Sequence, residues 1–423
     1  MRTCFVCLIW SEKPIFTGLF GLILMIKNEE FFSILRRETK QMIFDTRDFG
    51  VLNLCGLCRY IPSDLWRYYD SELFTATTMF TLEERGYIKM QSNGESYKLT
   101  YKGREALSEM GYTYSEDMRL DLKRPAYRRR LKNAHCNITM HLAGIDVFCK
   151  NTSELAEKDV GYLSSLMIRT SRNKSLAGTR FLGTLKIGEI VNVVYHIENE
   201  EDWIIPGYEK ETFESLISTI RNVKETKLIL AGKDLEELWN VTHPSKQSEK
   251  LARGMTLFDR ALEELGYDYL LVPIGRNGVT QLSVMKLRGY RHRLATAFGR
   301  VSELPRELSF CDSMIDGEPF IFTIDMNVKR IERALRQLKR YDSSFIPNIC
   351  CFQFQKNVIT KILKMCGFKE KKTYTLEKEM IEAFFPETAK KEYLTKPFIT
   401  KEGRYVCADE KKVKRDYSQA SET

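Results

Sequence analysis

The chain has 423 residues, 43% hydrophobic, 29% charged and 11% aromatic, with no repetitive tract, which excludes a disordered or fibrous protein and fits two or three domains. Its 66 Lys+Arg against 57 Asp+Glu leave a formal charge of +9, an excess compatible with an anionic partner such as nucleic acid but not diagnostic of one. Eleven cysteines, odd in number and scattered, exclude a dense disulfide framework and point to a reducing cytoplasm, while five dispersed histidines are poor material for a histidine-rich metal site.

Residues 5–26 are apolar, but Glu12, Lys13 and Pro14 split them, and the unbroken run Ile15–Ile26 is shorter than the roughly twenty residues a membrane-spanning helix wants. No basic n-region or small-residue cleavage site marks a signal peptide. Met25 and Met42 both precede better-formed sequence. A start site assigned too early and a buried or partner-binding helix are therefore the two main readings of the leader, and a membrane anchor is the minor one.

Phe49, Val51, Leu52, Leu54, Leu57 and Tyr60 form the apolar stripe of a first helix, which Pro62 stops. Pro62-Ser63-Asp64 opens a short second helix through Leu65, Trp66 and Tyr69. Asp70 or Ser71 is the expected cap of a third, with Leu73, Ala76, Met79 and Phe80 inward and Thr75, Thr78 and Thr81 outward. Gly86 fits the residue that ends this helix. Tyr87–Gln91 and Ser96–Thr100 read as strands joined by Ser92-Asn93-Gly94-Glu95, where Asn-Gly is a strong hairpin signal. Thr100 is the expected cap of a last helix from Tyr101 to Met110.

Three helices, a hairpin and a helix, with the phrase LEERGYIK…NGESYKLTYKGREAL, resemble the winged helix-turn-helix of MarR- and PadR-like bacterial DNA-binding domains. The resemblance covers about seventy residues. It implies that the third helix enters the major groove, with Thr75, Thr77, Thr78, Thr81 and Arg85 toward the bases. Lys89, Lys98, Lys102 and Arg104 are then phosphate contacts. Glu72, Glu83 and Glu84 are awkward neighbours for phosphates, and winged helices also serve as protein-interaction modules. Cys55 and Cys58, with Cys4 and Cys7, could be read as a four-thiolate zinc site, but Cys55 and Cys58 sit three apart on an apolar helix and read better as core.

Residues 121–132 carry Lys123, Arg124, Arg128, Arg129, Arg130 and Lys132, either a solvated connector or an arm that tracks a nucleic-acid backbone. Ile138, Leu142, Ile145 and Phe148 then suggest a helix over 135–148, with His135 and His141 structural. From about 160 the pattern is α/β. Strands are expected at Phe181–Ile187, Ile190–Ile197, Lys227–Ala231, Tyr267–Pro273 and Thr280–Leu287, and helices at Tyr208–Arg221 and Leu235–Trp239. No phosphate-cradling glycine loop occurs, which argues against a nucleotide-driven motor.

Asp316-Gly317, a strand Pro319–Ile324, Asp325 and a basic helix Val328–Tyr341 resemble the way PD-(D/E)xK nucleases hold a divalent metal. The lysine that motif needs is Asn327, and no proline precedes Asp316. The alternatives are a working magnesium-dependent nuclease, a degenerate nuclease-like core that binds without cutting, or an unrelated α/β domain in which Asp325 caps the basic helix. Helices are also expected at Val358–Cys366 and Leu376–Phe385, with adjacent Cys350 and Cys351 in the core.

The order of winged helix, basic connector, distal aspartates and a helix ending in Leu338-Lys339-Arg340-Tyr341 resembles the replication-relaxation family of plasmids and integrative elements. No His-x-His occurs, which speaks against a nicking relaxase. The chain then reads as a multidomain α+β, α/β protein with no cofactor. It divides into a leader 1–41, a winged helix-turn-helix 42–120, a basic connector helix 121–150, an α/β domain 151–345 with an alternative restriction-endonuclease-like core, a helical region 346–407 and a disordered tail 408–423. Its expected partners are double-stranded DNA, replication or transfer proteins and a second copy of itself, and its expected role is accessory to plasmid-type replication or transfer, or to transcription control. Binding is placed ahead of catalysis, and a protein-interaction module is the remaining alternative.

Overall fold

The computed structural model describes residues 46–69, 71–112, 114, 121–168, 180–198, 207–243, 266–342 and 344–388. The apolar leader, Cys4 and Cys7, and the polar tail lie outside them. The described chain is mixed α+β with three sheets. No helix in it is long and apolar enough to cross a membrane.

The chain opens with helix α1 (Thr46–Cys58), strand β1 (Ile61–Pro62), helix α2 (Leu65–Tyr68), a 3-10 turn (Glu72–Phe74) and helix α3 (Ala76–Glu84). Strands β2 (Ile88–Met90) and β3 (Ser96–Leu99) form the hairpin, and helix α4 (Tyr101–Glu109) closes the set. β1 adds to the hairpin antiparallel, giving the order β1-β3-β2. Gly86 and Gly94 take positive φ, which ends α3 and turns the hairpin at no steric cost. Thr100 Oγ1 accepts the Gly103 amide at 3.1 Å, the expected cap of α4.

Gly103 lets α4 lie on the hairpin: a Cβ there would meet the Tyr87 carbonyl oxygen at 2.2 Å. Gly103→Ala is expected to force helix and strand apart and cost about 1–3 kcal/mol, read as a lowered urea midpoint. An unchanged midpoint would mean the helix shifts freely.

Helix α3 departs from expectation in phase. Its cap is Thr75, whose Oγ1 accepts the Thr78 amide at 3.1 Å, while Ser71 caps only the preceding turn. The cap lies four or five residues beyond the expected Asp70 or Ser71, and the buried face differs from the expected one. Thr78, Met79 and Leu82 are buried, whereas Phe80, expected inward, is 64% exposed.

Helix α5 (Pro125–Leu142) is one continuous helix of 18 residues that opens on proline. It is a core element, neither a solvated connector nor a helix beginning at His135. Tyr127 is fully buried, donates or accepts with Ser96 Oγ at 2.7 Å, and meets Tyr60 edge-on at 5.3 Å. Further along, Asn133 Nδ2 donates to the Leu182 carbonyl and Tyr69 Oη donates to the His135 carbonyl. Lys286 Nζ donates to the Ala143 carbonyl at 2.6 Å, a cation on the C-terminal end of the helix. One helix thus carries the packing from the hairpin to the α/β half.

After helix α6 (Thr152–Glu157), strand β4 (Val160–Ser164) and short helix α7 (Ser165–Ile168), strands β5 (Gly183–Ile187) and β6 (Ile190–His196) complete an antiparallel meander. Helix α8 (Gly207–Ser218), strand β7 (Glu225–Gly232), helix α9 (Leu235–Thr242) and strand β8 (Asp268–Pro273) add two parallel strands, giving the order β4-β5-β6-β7-β8. Helices α10 (Arg276–Met285) and α11 (Tyr290–Phe298) follow. The second sheet is β9 (Val301–Ser302), β10 (Ser313–Ile315), β11 (Glu318–Phe322), helix α12 (Val328–Tyr341), β12 (Asn348–Phe352), helix α13 (Lys356–Met365), β13 (Lys372–Leu376) and helix α14 (Lys378–Phe384).

The two sheets repeat one plan. Each runs three antiparallel strands, then two parallel ones joined by crossover helices, and each has a two-residue turn in its central hairpin. They share one hydrophobic core, with Leu228 and Leu271 of the first and Ile321 and Ile349 of the second.

Two expectations fail here. Residues 280–287, expected as a strand, lie mostly in α10, which buries Gly278, Gln281, Leu282, Ser283, Val284 and Met285. Burial on several sides erases the amphipathic period that marks a helix. The stretch from 346 contains strands β12 and β13 as well as helices. β12 is buried at all five positions, and such a strand reads as a plain apolar run.

Candidate nucleic-acid interface

The outward face of the hairpin follows from its register. Lys89 lies directly opposite Lys98, and Ile88 opposite Leu99. Ile88 and Leu99 are buried against the helices, so Lys89 and Lys98 share the other face. Opposed side chains of an antiparallel pair have Cβ atoms about 5 Å apart, and like charges there repel. Ser96 is two residues from Lys98 and so on the same face, where Tyr127 of α5 covers it. The first turns of α5 therefore abut the lysine face, and they carry Arg128 and Arg129, both exposed. None of these four cations forms an ion pair with a described residue. Asn93 Nδ2, at the hairpin turn, donates to Tyr127 Oη at 3.3 Å and ties the two elements together.

The other expected contact residues divide. Thr77 is exposed and Thr81 half-buried, but Thr75 and Thr78 bond to each other at 2.8 Å, and Thr78 is buried. Thr75 and Thr78 therefore hold the start of α3 rather than offering hydroxyls outward. Arg85 pairs with Asp48 at 3.4 Å. Lys102 Nζ donates to the Arg85 carbonyl at 2.8 Å and lies 4.5 Å from the centre of the Tyr87 ring, fastening α4 to the end of α3. Arg104 is exposed, and Arg130 is half-buried, which lowers its pKa. Glu83 Oε1 accepts the Met90 amide at 2.9 Å, so this acid, awkward for phosphates in the sequence, is turned to the hairpin backbone.

The distal aspartates are not brought together. Asp316 sits in the β10–β11 turn, where its Oδ1 accepts the Arg300 amide at 3.1 Å. Asp325 follows the opposite end of β11, and a five-residue strand spans about 15 Å, too far for two carboxylates to share one ion. Asp325 instead faces Asp312 across two guanidinium groups. Arg330 donates to Asp312 Oδ2 at 2.8 Å and to Asp325 Oδ1 at 3.1 Å, and Arg291 reaches both carboxylates. Burial would raise the Asp325 pKa, but Arg330 and then Arg291 outweigh it and hold the carboxyl at about 2. Asp325 does not cap α12 either: Asn327 Oδ1 accepts the Arg330 amide at 3.0 Å, and Asp325 accepts the Asn327 amide.

Cys55 and Cys58 are fully buried, and burial pushes both thiols up, the state of core cysteines. No group of three or more His, Cys, Asp or Glu residues is arranged to hold a metal among the described residues. The Arg330 bridge has no local signature in the sequence, because Asp312, 18 residues before Arg330, meets it only through the fold.

Comparison with protein-family models, curated proteins and solved structures found no match to this chain.

Proposed function

We propose that the N-terminal helices and hairpin form a winged helix-turn-helix that binds double-stranded DNA, with the hairpin and the start of α5 lying against the phosphate backbone. The observation that carries this reading is the Lys89–Lys98 pair beside Arg128 and Arg129. Four cations are held on adjoining rigid elements without carboxylate partners among the described residues, at a cost in self-repulsion that a polyanion would relieve. The resemblance to the replication-relaxation family sets this binding in plasmid-type replication or transfer, with transcription control as the alternative role.

A titration of mixed-sequence duplex DNA at several salt concentrations tests it. Each phosphate contact contributes about 0.9 to the fall of log K with log salt, so Lys89→Gln with Lys98→Gln is expected to reduce that slope by about 2 and weaken binding at every salt. A slope equal to that of the unmodified chain removes the hairpin from the interface.

A second reading rests on Phe80, 64% exposed on α3, and Trp66, 54% exposed on α2. Large exposed apolar side chains on the helix that would enter the groove and on the helix before it suit a protein partner. Failure to bind DNA even at low salt would favour it.

A further inference from the structure

A second row of cations stands on the far side of the fold in sequence, on α13. Lys356, Thr360 and Lys364 recur every four residues and so share one face of the helix. Lys371, just before edge strand β13, donates its Nζ to Thr360 Oγ1 and so sits between the two helix lysines. Eight residues of helix rise about 12 Å, so the backbone positions of Lys356, Thr360 and Lys364 stand about 6 Å apart along the axis, with Lys371 fastened at the middle one.

Lys356 and Lys364 are exposed and Lys371 half-buried, and none of the three forms an ion pair with a described residue. Their neighbours are handled differently. Lys361 pairs with Glu236 at 2.8 Å, Lys372 with Glu318 at 3.0 Å, and Lys339 donates to the Gly367 carbonyl. Burial and then the charges of Lys356 and Lys364 lower the Lys371 pKa, the mark of cations crowded without compensation.

We infer that Lys356, Lys371 and Lys364 form a second phosphate-binding row, which contacts the backbone of the same duplex DNA outside the hairpin region. A row of this length is too extended for one compact anion. It suits a backbone that presents one charge about every 3.4 Å along each strand. The inference rests on the DNA-binding reading for its partner but on separate residues for its site. Lys371, next to edge strand β13, also helps keep strands of other molecules from pairing there, and that role would need no DNA.

Lysine acetylation footprinting of the full chain, with and without a short mixed-sequence duplex at low salt, separates these cases residue by residue. DNA is expected to slow acetylation of Lys356, Lys364 and Lys371 severalfold, and Lys89 and Lys98 independently. Protection of Lys89 and Lys98 alone overturns the row and keeps the hairpin. Protection of the row alone keeps it and overturns the hairpin, and no protection anywhere sinks both. Lys356→Gln, Lys364→Gln and Lys371→Gln together are expected to lower the salt slope by 2 to 3 (about 0.9 per phosphate). An unchanged slope in that protein, with its urea midpoint preserved, would overturn the row and leave edge protection as the role of Lys371 alone.

Discussion

Replacing Asp325 with alanine is expected to destabilise the protein by about 3–5 kcal/mol, because it leaves Arg330 and Arg291 facing one carboxylate where two had balanced them. The side chains of Asp312 and Asp325 are only 6% and 7% exposed, and that of Arg330 is 19% exposed. Arg330 also donates to the Phe322 carbonyl at the end of β11, so the cluster fixes the start of α12 against the second sheet. Asp325→Asn keeps the shape but not the charge, and its loss should be smaller. The cluster as a whole need not stabilise, since charges removed from water lose hydration that the pairing only partly returns. Exchanging Asp312, Asp325 and Arg330 together for apolar residues of similar volume is thus expected to recover most of the loss, with Arg291, 35% exposed, turning to solvent. Urea unfolding of the single and triple variants decides it: losses that simply add would show that the residues do not act as one unit.

Parts of this fold are legible in the sequence and parts are not, and the division is physical. The span of α12 is readable because Ile331, Ala334, Leu335 and Leu338 recur at helical spacing opposite a charged face. The hairpin is readable because Asn93-Gly94 admits few other structures. α10 is not, since a helix buried on several sides loses its period, and β12 is not, since a strand buried on both faces has none to show. The phase of α3 turns on which of Asp70, Ser71 and Thr75 supplies the cap, a choice among near-equal local signals that tertiary packing settles. Of the candidate interface, Lys89 and Lys98 are visible as hairpin residues once the turn is placed. Their adjacency to Arg128 and Arg129 depends on Tyr127 docking on Ser96, a long-range contact that no local pattern announces. The row on α13 is only partly legible: Lys364 falls within the expected helix Val358–Cys366, Lys356 lies just before its expected start, and Lys371 joins them only through the fold.

The largest pH effect is expected from two histidines at the junction of α5 with the first sheet. His135 lies edge-on to Tyr68 with ring centres 5.0 Å apart, and its Nδ1 has no hydrogen-bond partner among the described residues; the His196 side chain is 6% exposed, and its Nδ1 likewise has none among them. Burial lowers the His135 pKa to about 4, with Asp64 opposing. Burial first, then Lys132 and His135, lower that of His196 to about 3, and Glu198 stands 3.8 Å from its Nε2. Both imidazoles are therefore neutral in the fold at pH values where the unfolded chain, with ordinary values near 6.5, already binds protons. Their contribution to stability is fully present above about pH 6.5 and is lost as pH falls toward the folded values. Each proton taken up on unfolding costs about 1.4 kcal/mol of stability per pH unit, and the two together about 2.7. Two pH units would remove roughly 5 kcal/mol, comparable to the entire stability of many domains. Asp325, held at about 2, releases its own contribution only below about pH 4, so the histidine window is clear of it. The urea midpoint is expected to fall steeply from pH 6 to pH 4.5, and His135→Gln with His196→Gln should flatten that fall even if it lowers stability at pH 7. A midpoint that stays level through this range in the unmodified chain would show that both rings take up protons inside the fold, with solvent or Glu198 accommodating the charge.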